Sequence, residues 1–460
     1  MSWFHTIAEL AQAIVTGSAP NGSAGVPAGS GTAAQTFSSV STDTRTLRPG
    51  DVFFALSGEN FDGNTFVPQA FEKGAVAAVC ERPMPGGLCI TVESPLRALQ
   101  DFAAWHRSQC SAKVIAITGS SGKTTAKDLT AALLASKYPV VKTQGNLNND
   151  IGCPLSLLHL DDTTQYAVIE MGANHAGEIA GLCRVARPDE AAVTIVAPAH
   201  LEGFGSIEGV ARAKAEIVEG LVPGGMFYVN VDNPWCLAMA ERHPGPKMYF
   251  GGHGDVVLRN CSFDAAGEMV LDIDPVGVLR LPLSVRAHAT NVLLAVAVAL
   301  RHGVDEIEAP LRAACAGLSR FKTLAVGPLT VLDDSYNANP ASMAAALQAL
   351  ADRRVSGARI AALGEMRELG AAAGDLHREV GEAAGRFGVN HLYAFGPHAA
   401  DMAAGALAAG VPHAEALDDH DAIASAVRRV AVPGDALLVK GSRGARMETV
   451  IEALKRMYGG

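Results

Sequence analysis

Long apolar runs are missing from this chain of 460 residues. No stretch approaches the ~18 consecutive apolar residues that a membrane-crossing helix needs, so no membrane insertion is expected. The first six residues lack a basic segment leading into an apolar one, and no signal peptide is read there. A surplus of positive charge is missing too. The formal net charge is −10, which makes nucleic acid a poor general partner. Cysteines are present but never in a C-x-x-C spacing. They stand at 80, 89, 110, 153, 183, 236, 261 and 315, a scatter that indicates neither a zinc site nor a disulfide framework. These absences point to a soluble cytoplasmic protein with reduced, mostly buried thiols. No feature demands self-association, and a monomer is expected.

What is present is enough apolar residue, 49% against 18% charged, to bury more than one core. Residues 17–36 are rich in Gly, Ser, Ala and Pro and read as a flexible insert. Around it, an amphipathic helix is expected at 4–15, strands at 38–42, 51–56, 76–80 and 89–92, and helices at 66–73 and 95–109. From 113 onward the pattern changes. Continuous apolar runs at 114–118, 166–169, 192–196 and 226–229 read as strands buried on both faces, with helices between most of them. A third set, at 329–332, 359–363, 391–395 and 436–439, alternates with Ala-rich helices. The expected fold is α/β in three domains: a small α/β N-terminal domain (1–107), a central doubly wound P-loop domain (108–318) and a Rossmann-like C-terminal domain (319–460).

The run at 114–118 leads into Gly119-Ser120-Ser121-Gly122-Lys123-Thr124-Thr125, which opens a helix. Strand, glycine loop and helix start together form a phosphate cradle. The glycines admit the phosphates to the backbone N–H groups, and the helix end adds positive potential. Lys123 would reach the β- and γ-phosphates and the Thr124 hydroxyl would hold Mg²⁺. The loop is the short G-x-x-G-K-T-T form, with Ile117 where the longer Walker pattern has Gly. By itself it indicates a nucleoside triphosphate and no particular reaction.

Further segments give the loop a context. They are GNLNNDIGCP (145–154), VIEMGANH (168–175), APAHLEGF (197–204), DDSYNANP (333–340), LGEMRELG (363–370) with His377, KGSRGARM (440–447), and STDTR (41–45) followed by PGD (49–51) and GENFDG (58–63). In this order they resemble the Mur ligases, and within that family the D-alanyl-D-alanine-adding type, over nearly the whole chain apart from the insert. The resemblance implies an ATP- and Mg²⁺-dependent ligase. It would activate the carboxylate of a UDP-N-acetylmuramoyl-tripeptide as an acyl phosphate and pass it to the amine of D-alanyl-D-alanine.

It also implies roles. Ser41, Thr44 and Arg45 fall in the UDP-binding part, and Asn146, Asn148 and Asn149 in a substrate loop. Glu170 and His200 match metal-binding segments; the alternatives are a structural acid and a hydrogen-bonded turn histidine. The RAHATN segment (286–291) departs from the family's H-N-x-x-N, with Ala287 and His288 in the first two places. Asn291 would meet adenine or, equally, cap a helix at 292–300. Arg320 stands where the family has an arginine for the transferred phosphate, although Leu318 and Ser319 precede it in place of Pro-Gly. Asp334 would hold the ribose, with Asn337 and Asn339 on the same wall, unless these form only an Asn-rich turn. Lys440 and Arg443 would neutralise a peptide carboxylate, or else remain solvated.

Lys214 lies on a helix expected at 207–221, where the residues three and four away are Val210, Ala211, Ile217 and Val218. No acid shares its face. Such a lysine either snorkels to water or is buried for a chemical purpose; the resemblance implies the second, as a carbamate that binds metal. Competing readings are a diamino-acid-adding Mur ligase, disfavoured by DSYNANP (334–340), a folylpolyglutamate synthetase, a P-loop switch or motor NTPase, and a non-catalytic nucleotide-binding regulator.

Overall fold

The apolar run at 113–118 forms the strand Lys113–Thr118, buried from Val114 onward and flanked by parallel neighbours on both sides, as a run without polar alternation requires. A computed structural model describes residues 4–17, 34–58, 61–318 and 321–459. Most of the expected insert and Arg320 therefore lie outside the described residues.

Four sheets organise them. His5–Thr6 pairs antiparallel with Thr36–Phe37. A small parallel sheet holds Val40–Ser41, Val52–Phe54, Ala77–Cys80 and Cys89–Thr91. A nine-stranded sheet contains the P-loop strand. A six-stranded sheet, parallel except for Lys322–Val326, carries the last third of the chain. The fold is thus mixed α/β with mainly parallel sheets.

The helix Pro95–Gln109 joins the first sheet to the central one. Ser94 caps its start by accepting from Arg97 N–H, and Pro95 fits the first turn, where no N–H partner is needed. Its buried Phe102 and Ala103 share one core with Ile7 and Leu10 on one side and Val114 and Ala116 on the other. Arg107 seals the junction. Its guanidinium reaches Asp189 Oδ2 (3.0 Å) and the carbonyls of Ala186 and Cys110, while the same Asp189 oxygen accepts from Val114 N–H (2.8 Å).

In the central sheet Glu190–Val193 and Tyr166–Glu170 flank the P-loop strand in parallel, with Ile117 in register with both Ala192 and Glu170. All three strands therefore deliver their carboxyl ends to one edge. The sheet then continues beyond expectation. After Met226–Asn230 and Lys247–Gly251 come Val256–Phe263, Met269–Asp274 and Gly277–Leu281, the last two antiparallel. Alternation announces them: Met269, Leu271, Ile273, Leu279 and Leu281 point inward and their neighbours outward. A search for continuous apolar runs passes over that pattern. The outermost strand is bounded by the helix Glu308–Ala316. Glu308 accepts from Arg280 N–H (3.0 Å) and Arg312 donates to Arg280 C=O (2.6 Å).

In the third sheet Leu329–Asp334 pairs with Ala436–Lys440, setting Asp334 beside Lys440. The helix Pro340–Asp352 follows from an Asn339 cap, with Ser342 returning the bond in a capping box. Among the described residues no helix is long and apolar enough to cross a membrane.

Asp189→Ala should lower the unfolding free energy by about 3 kcal/mol, since it strips a largely buried guanidinium of its carboxylate. Urea denaturation checks this; a midpoint unchanged from that of the parent protein would contradict it.

Candidate active site between the central and third sheets

A cavity of about 480 Å³ opens where the carboxyl edges of the central and third sheets face each other, the position that open α/β sheets give to ligands. Its floor is the P-loop. Gly119 (φ 146°) and Gly122 (φ 82°) both need backbone conformations that side chains rarely permit. A Cβ on Gly119 would stand 2.0 Å from Thr194 Oγ1, and one on Gly122 would stand 2.5 Å from Asn291 Oδ1. The loop is held against the turn after Glu190–Val193. Ser120 N–H donates to Ile195 C=O (2.8 Å); its hydroxyl donates to Ala197 C=O (2.8 Å) and accepts from Ala197 N–H (3.0 Å). Ser120 thus lines the cavity with its side chain already engaged. Ser121, Gly122, Lys123, Thr124 and Thr125 also line it, and Lys123 Nζ donates to Gly119 C=O (2.9 Å).

Glu170 ends its strand 1% exposed. One carboxylate oxygen accepts from Asn148 Nδ2 (2.7 Å) and from the Thr124 hydroxyl (3.3 Å), and Glu170 N–H donates to Thr143 Oγ1 (3.0 Å). The other oxygen is buried with no hydrogen-bond partner among the described residues. A buried carboxylate oxygen left so is costly, and it lies in the lining of a cavity that also presents the Thr124 hydroxyl. That donor set fits a hard divalent cation, which takes oxygen ligands. Asn146, Asn148 and Asn149 all line the cavity. Asn149 also braces the wall by accepting from Gly152 N–H (2.9 Å) at the start of the helix Gly152–Leu157.

His200 lines the same cavity in a left-handed conformation (φ 50°). Its Nδ1 is bonded to Glu368, a residue of the third sheet's loops. Burial lowers its pKa, and the Glu368 carboxylate opposes that. Lys214 does not snorkel. It is 2% exposed, its ammonium 5.5 Å from the Phe204 ring, which also meets His200 edge-on. Burial, reinforced by the positive charge of Lys123, pushes its pKa down to about 7.

The helix His288–Arg301 starts four residues before the expected 292. Asn291 is therefore no cap: it sits in the first turn, 4% exposed, facing Gly122. His288 joins the cavity wall; burial holds its pKa near 4, and its Nδ1 has no partner among the described residues.

From the third sheet Asp334, Asn337, Asn339 and Lys440 line the cavity. Asn339 Nδ2 reaches across to Ser120 C=O (3.2 Å). Lys440 departs from the expected free cation: it is 1% exposed, and its ammonium is taken by Asp334 (2.5 Å) and Asn337 C=O (2.8 Å). Arg443 is absent from the lining; it is exposed, bonded to Glu448 and 5.8 Å from the ring of Tyr336, which is on the wall. Ser41, Thr44 and Arg45 are absent as well. They stand at and just after the end of the strand Val40–Ser41 of the small parallel sheet, where Ser41 donates to Asp43 C=O, Thr44 to Gln69 and Arg45 to the Asp43 carboxylate. The contacts of Tyr336, Thr194 and Glu368 were not anticipated, because each depends on which strands become neighbours.

Three family descriptions match in chain order: "Mur ligase family, catalytic domain" over 36–104, "Mur ligase middle domain" over 117–299, and "Mur ligase, glutamate ligase domain" over 319–443. The chain is 40% identical over 440 residues to the UDP-N-acetylmuramoyl-tripeptide–D-alanyl-D-alanine ligase of Escherichia coli, covering 91% of this chain and 94% of that one. A crystal structure of MurF from Acinetobacter baumannii superposes with a TM-score of 0.87 at 31% identity, with 99% of each chain covered. The MurF ligase of Thermotoga maritima, solved in complex with ADP, superposes with a TM-score of 0.79 at 28% identity, covering 91% of this chain and 97% of that one. Matched along almost its entire length, with its P-loop, buried Glu170 and His200 on one cavity, the chain belongs to the Mur ligase family.

Proposed function

We propose that this chain is the ATP-dependent ligase that joins D-alanyl-D-alanine to UDP-N-acetylmuramoyl-tripeptide in cytoplasmic peptidoglycan precursor synthesis. One observation carries the reading: a P-loop, a buried carboxylate with an unpartnered oxygen and the third sheet's Asp334 wall converge on one cavity. The name borne by the 40% identical relative supplies the substrates. Three domains, divided near 107 and 318, would share the work.

In this reading the triphosphate lies along Gly119 to Thr125, with Lys123 at its far end. Asn291 and His288 face the base, and Asp334, Asn337 and Asn339 face the ribose. Thr124 and Glu170 would hold one Mg²⁺, and His200 and carbamylated Lys214 would hold a second; bound there, the cations would offset the repulsion between the phosphates and the incoming carboxylate. The tripeptide carboxylate attacks the γ-phosphorus, and ADP leaves. The dipeptide amine then attacks the acyl phosphate carbon, and phosphate leaves as the tetrahedral intermediate collapses. Asn146, Asn148 and Asn149 position the tripeptide end, and Ser41, Thr44 and Arg45 serve the distant UDP end. By the family resemblance, Arg320, which lies outside the described residues, would supply positive charge to the transferred phosphate. Lys440 acts mainly through Asp334, whose charge it balances, and Arg443 reaches the dipeptide side only if it leaves Glu448.

The carbamate that the family resemblance implies for Lys214 is supported by that residue's surroundings. A buried amine with its pKa near 7 is largely neutral at slightly alkaline pH. The neutral amine can add CO₂ with loss of one N–H proton, which would place an anionic oxygen donor where an ammonium would repel Lys123.

Phosphate release should require ATP, the UDP-tripeptide and D-alanyl-D-alanine together; release from ATP alone at the full rate would support a switch or motor NTPase instead. Lys123→Ala should lower turnover by roughly 10²–10³-fold or more while leaving the circular dichroism spectrum intact. Lys214→Ala should be nearly inactive and regain part of its rate with added acetate; near-normal activity without acetate would rule out the carbamate.

A further inference from the structure

The contact between His200 and Glu368 joins residues 168 positions apart, one on the central sheet's loops and one on the third's. It is reinforced by the backbone, since Glu202 N–H donates to Glu368 C=O (3.0 Å). Both residues hold positive φ, 50° at His200 and 62° at Glu368, a conformation that non-glycine residues keep only where their surroundings impose it.

The loop that presents Glu368 is itself fixed. Met366 N–H donates to His377 Nε2 (2.9 Å), and His377 Nδ1 donates to Ala373 C=O (2.6 Å). Gly364 N–H donates to Lys440 C=O (2.7 Å), and Ser442 N–H to Glu365 C=O (2.9 Å). The loop is thus pinned to the strand end that carries the Asp334–Lys440 pair. Its other acid, Glu365, is bonded to Arg367 (2.6 Å), whereas Glu368 extends to the imidazole.

A carboxylate on Nδ1 has a definite consequence. It accepts the Nδ1 proton and so leaves the lone pair on Nε2, the tautomer a metal ligand needs. Histidines that bind metals usually have such a partner, which fixes the ring's orientation and raises its basicity. Here that partner comes from a different sheet than the imidazole.

We propose that Glu368 is a positioning residue for His200, so that the cavity's His200 metal position is complete only when the third sheet's loop is docked. This rests on the reading of His200 as a metal ligand. Docking would then couple the arrival of the third sheet's Asp334 wall to the ordering of a cation ligand on the central one.

Mn²⁺ binding to the full chain, followed by electron paramagnetic resonance in the presence of a non-hydrolysable ATP analogue, tests it. His200→Ala identifies the relevant site as the one whose affinity falls. Glu368→Ala should weaken that same site about 10-fold. Glu368→Gln, which keeps an acceptor oxygen, should recover part of the loss. In the double variant, Glu368→Ala should add nothing to His200→Ala. Melting temperatures show that each variant folds, and the Gln variant serves should the Ala variant not fold. Parent-like affinity in Glu368→Ala, alongside a loss in His200→Ala, would overturn the proposal. So would a double variant weaker than His200→Ala alone, because Glu368 would then act independently of the imidazole. Unchanged Mn²⁺ binding in His200→Ala would instead overturn the metal reading of His200, and the positioning role with it.

Discussion

The close seat of the 119–122 loop against the turn at 194–197 is the constraint on which the rest of the site depends. Space for it exists only because position 119 has no side chain, and Thr194 Oγ1 closes the contact by donating to Ser121 C=O (2.5 Å). Neighbouring parallel strands supply the two turns, so their separation is set by strand spacing, about 4.8 Å. Glu170 comes from the strand on the other side and inherits the same geometry. The helix Lys123–Ala135, its orphan N–H groups and the buried carboxylate thus take fixed relative positions before any ligand arrives. The third sheet adds its wall by touching this seat through Asn339 and Ser120.

Much of this was legible in the chain. Continuous apolar runs marked the parallel strands, because a strand buried on both faces tolerates no polar alternation. Glycines at 119 and 122 marked the loop, because their backbone angles exclude side chains. The parts that escaped depend on pairing. Lys440 reads as a free cation until Leu329–Asp334 and Ala436–Lys440 are known to be neighbours, when register alone sets it beside Asp334. The start of the helix at His288 carries no capping side chain, so Asn291, the first good cap in the sequence, was drawn to that role. Glu368 sits in a recognisable motif, yet nothing local indicates an imidazole 168 residues away.

The site also concentrates positive charge in a chain whose formal net charge is −10. Burial disfavours the Lys214 ammonium most, and the charge of Lys123 adds to the effect. Lys440 is paired instead with Asp334. Three lysines are thereby differentiated by their neighbours: Lys123 lines the cavity and bonds Gly119 C=O, Lys214 is buried beside Phe204 with its pKa lowered, and Lys440 is committed to a carboxylate.

Far from the cavity, the two side-chain bonds at Arg280 bear on how the molecule behaves in concentrated solution. An open sheet edge is a template on which a second chain can extend the ladder. At the outermost strand, Glu308 and Arg312 already occupy the outward N–H and C=O of Arg280. A foreign strand approaching Gly277–Leu281 would have to displace a carboxylate and a guanidinium held by their own helix before it could bond to Arg280. The antiparallel strands that widen the central sheet therefore end in a border that resists edge-to-edge aggregation.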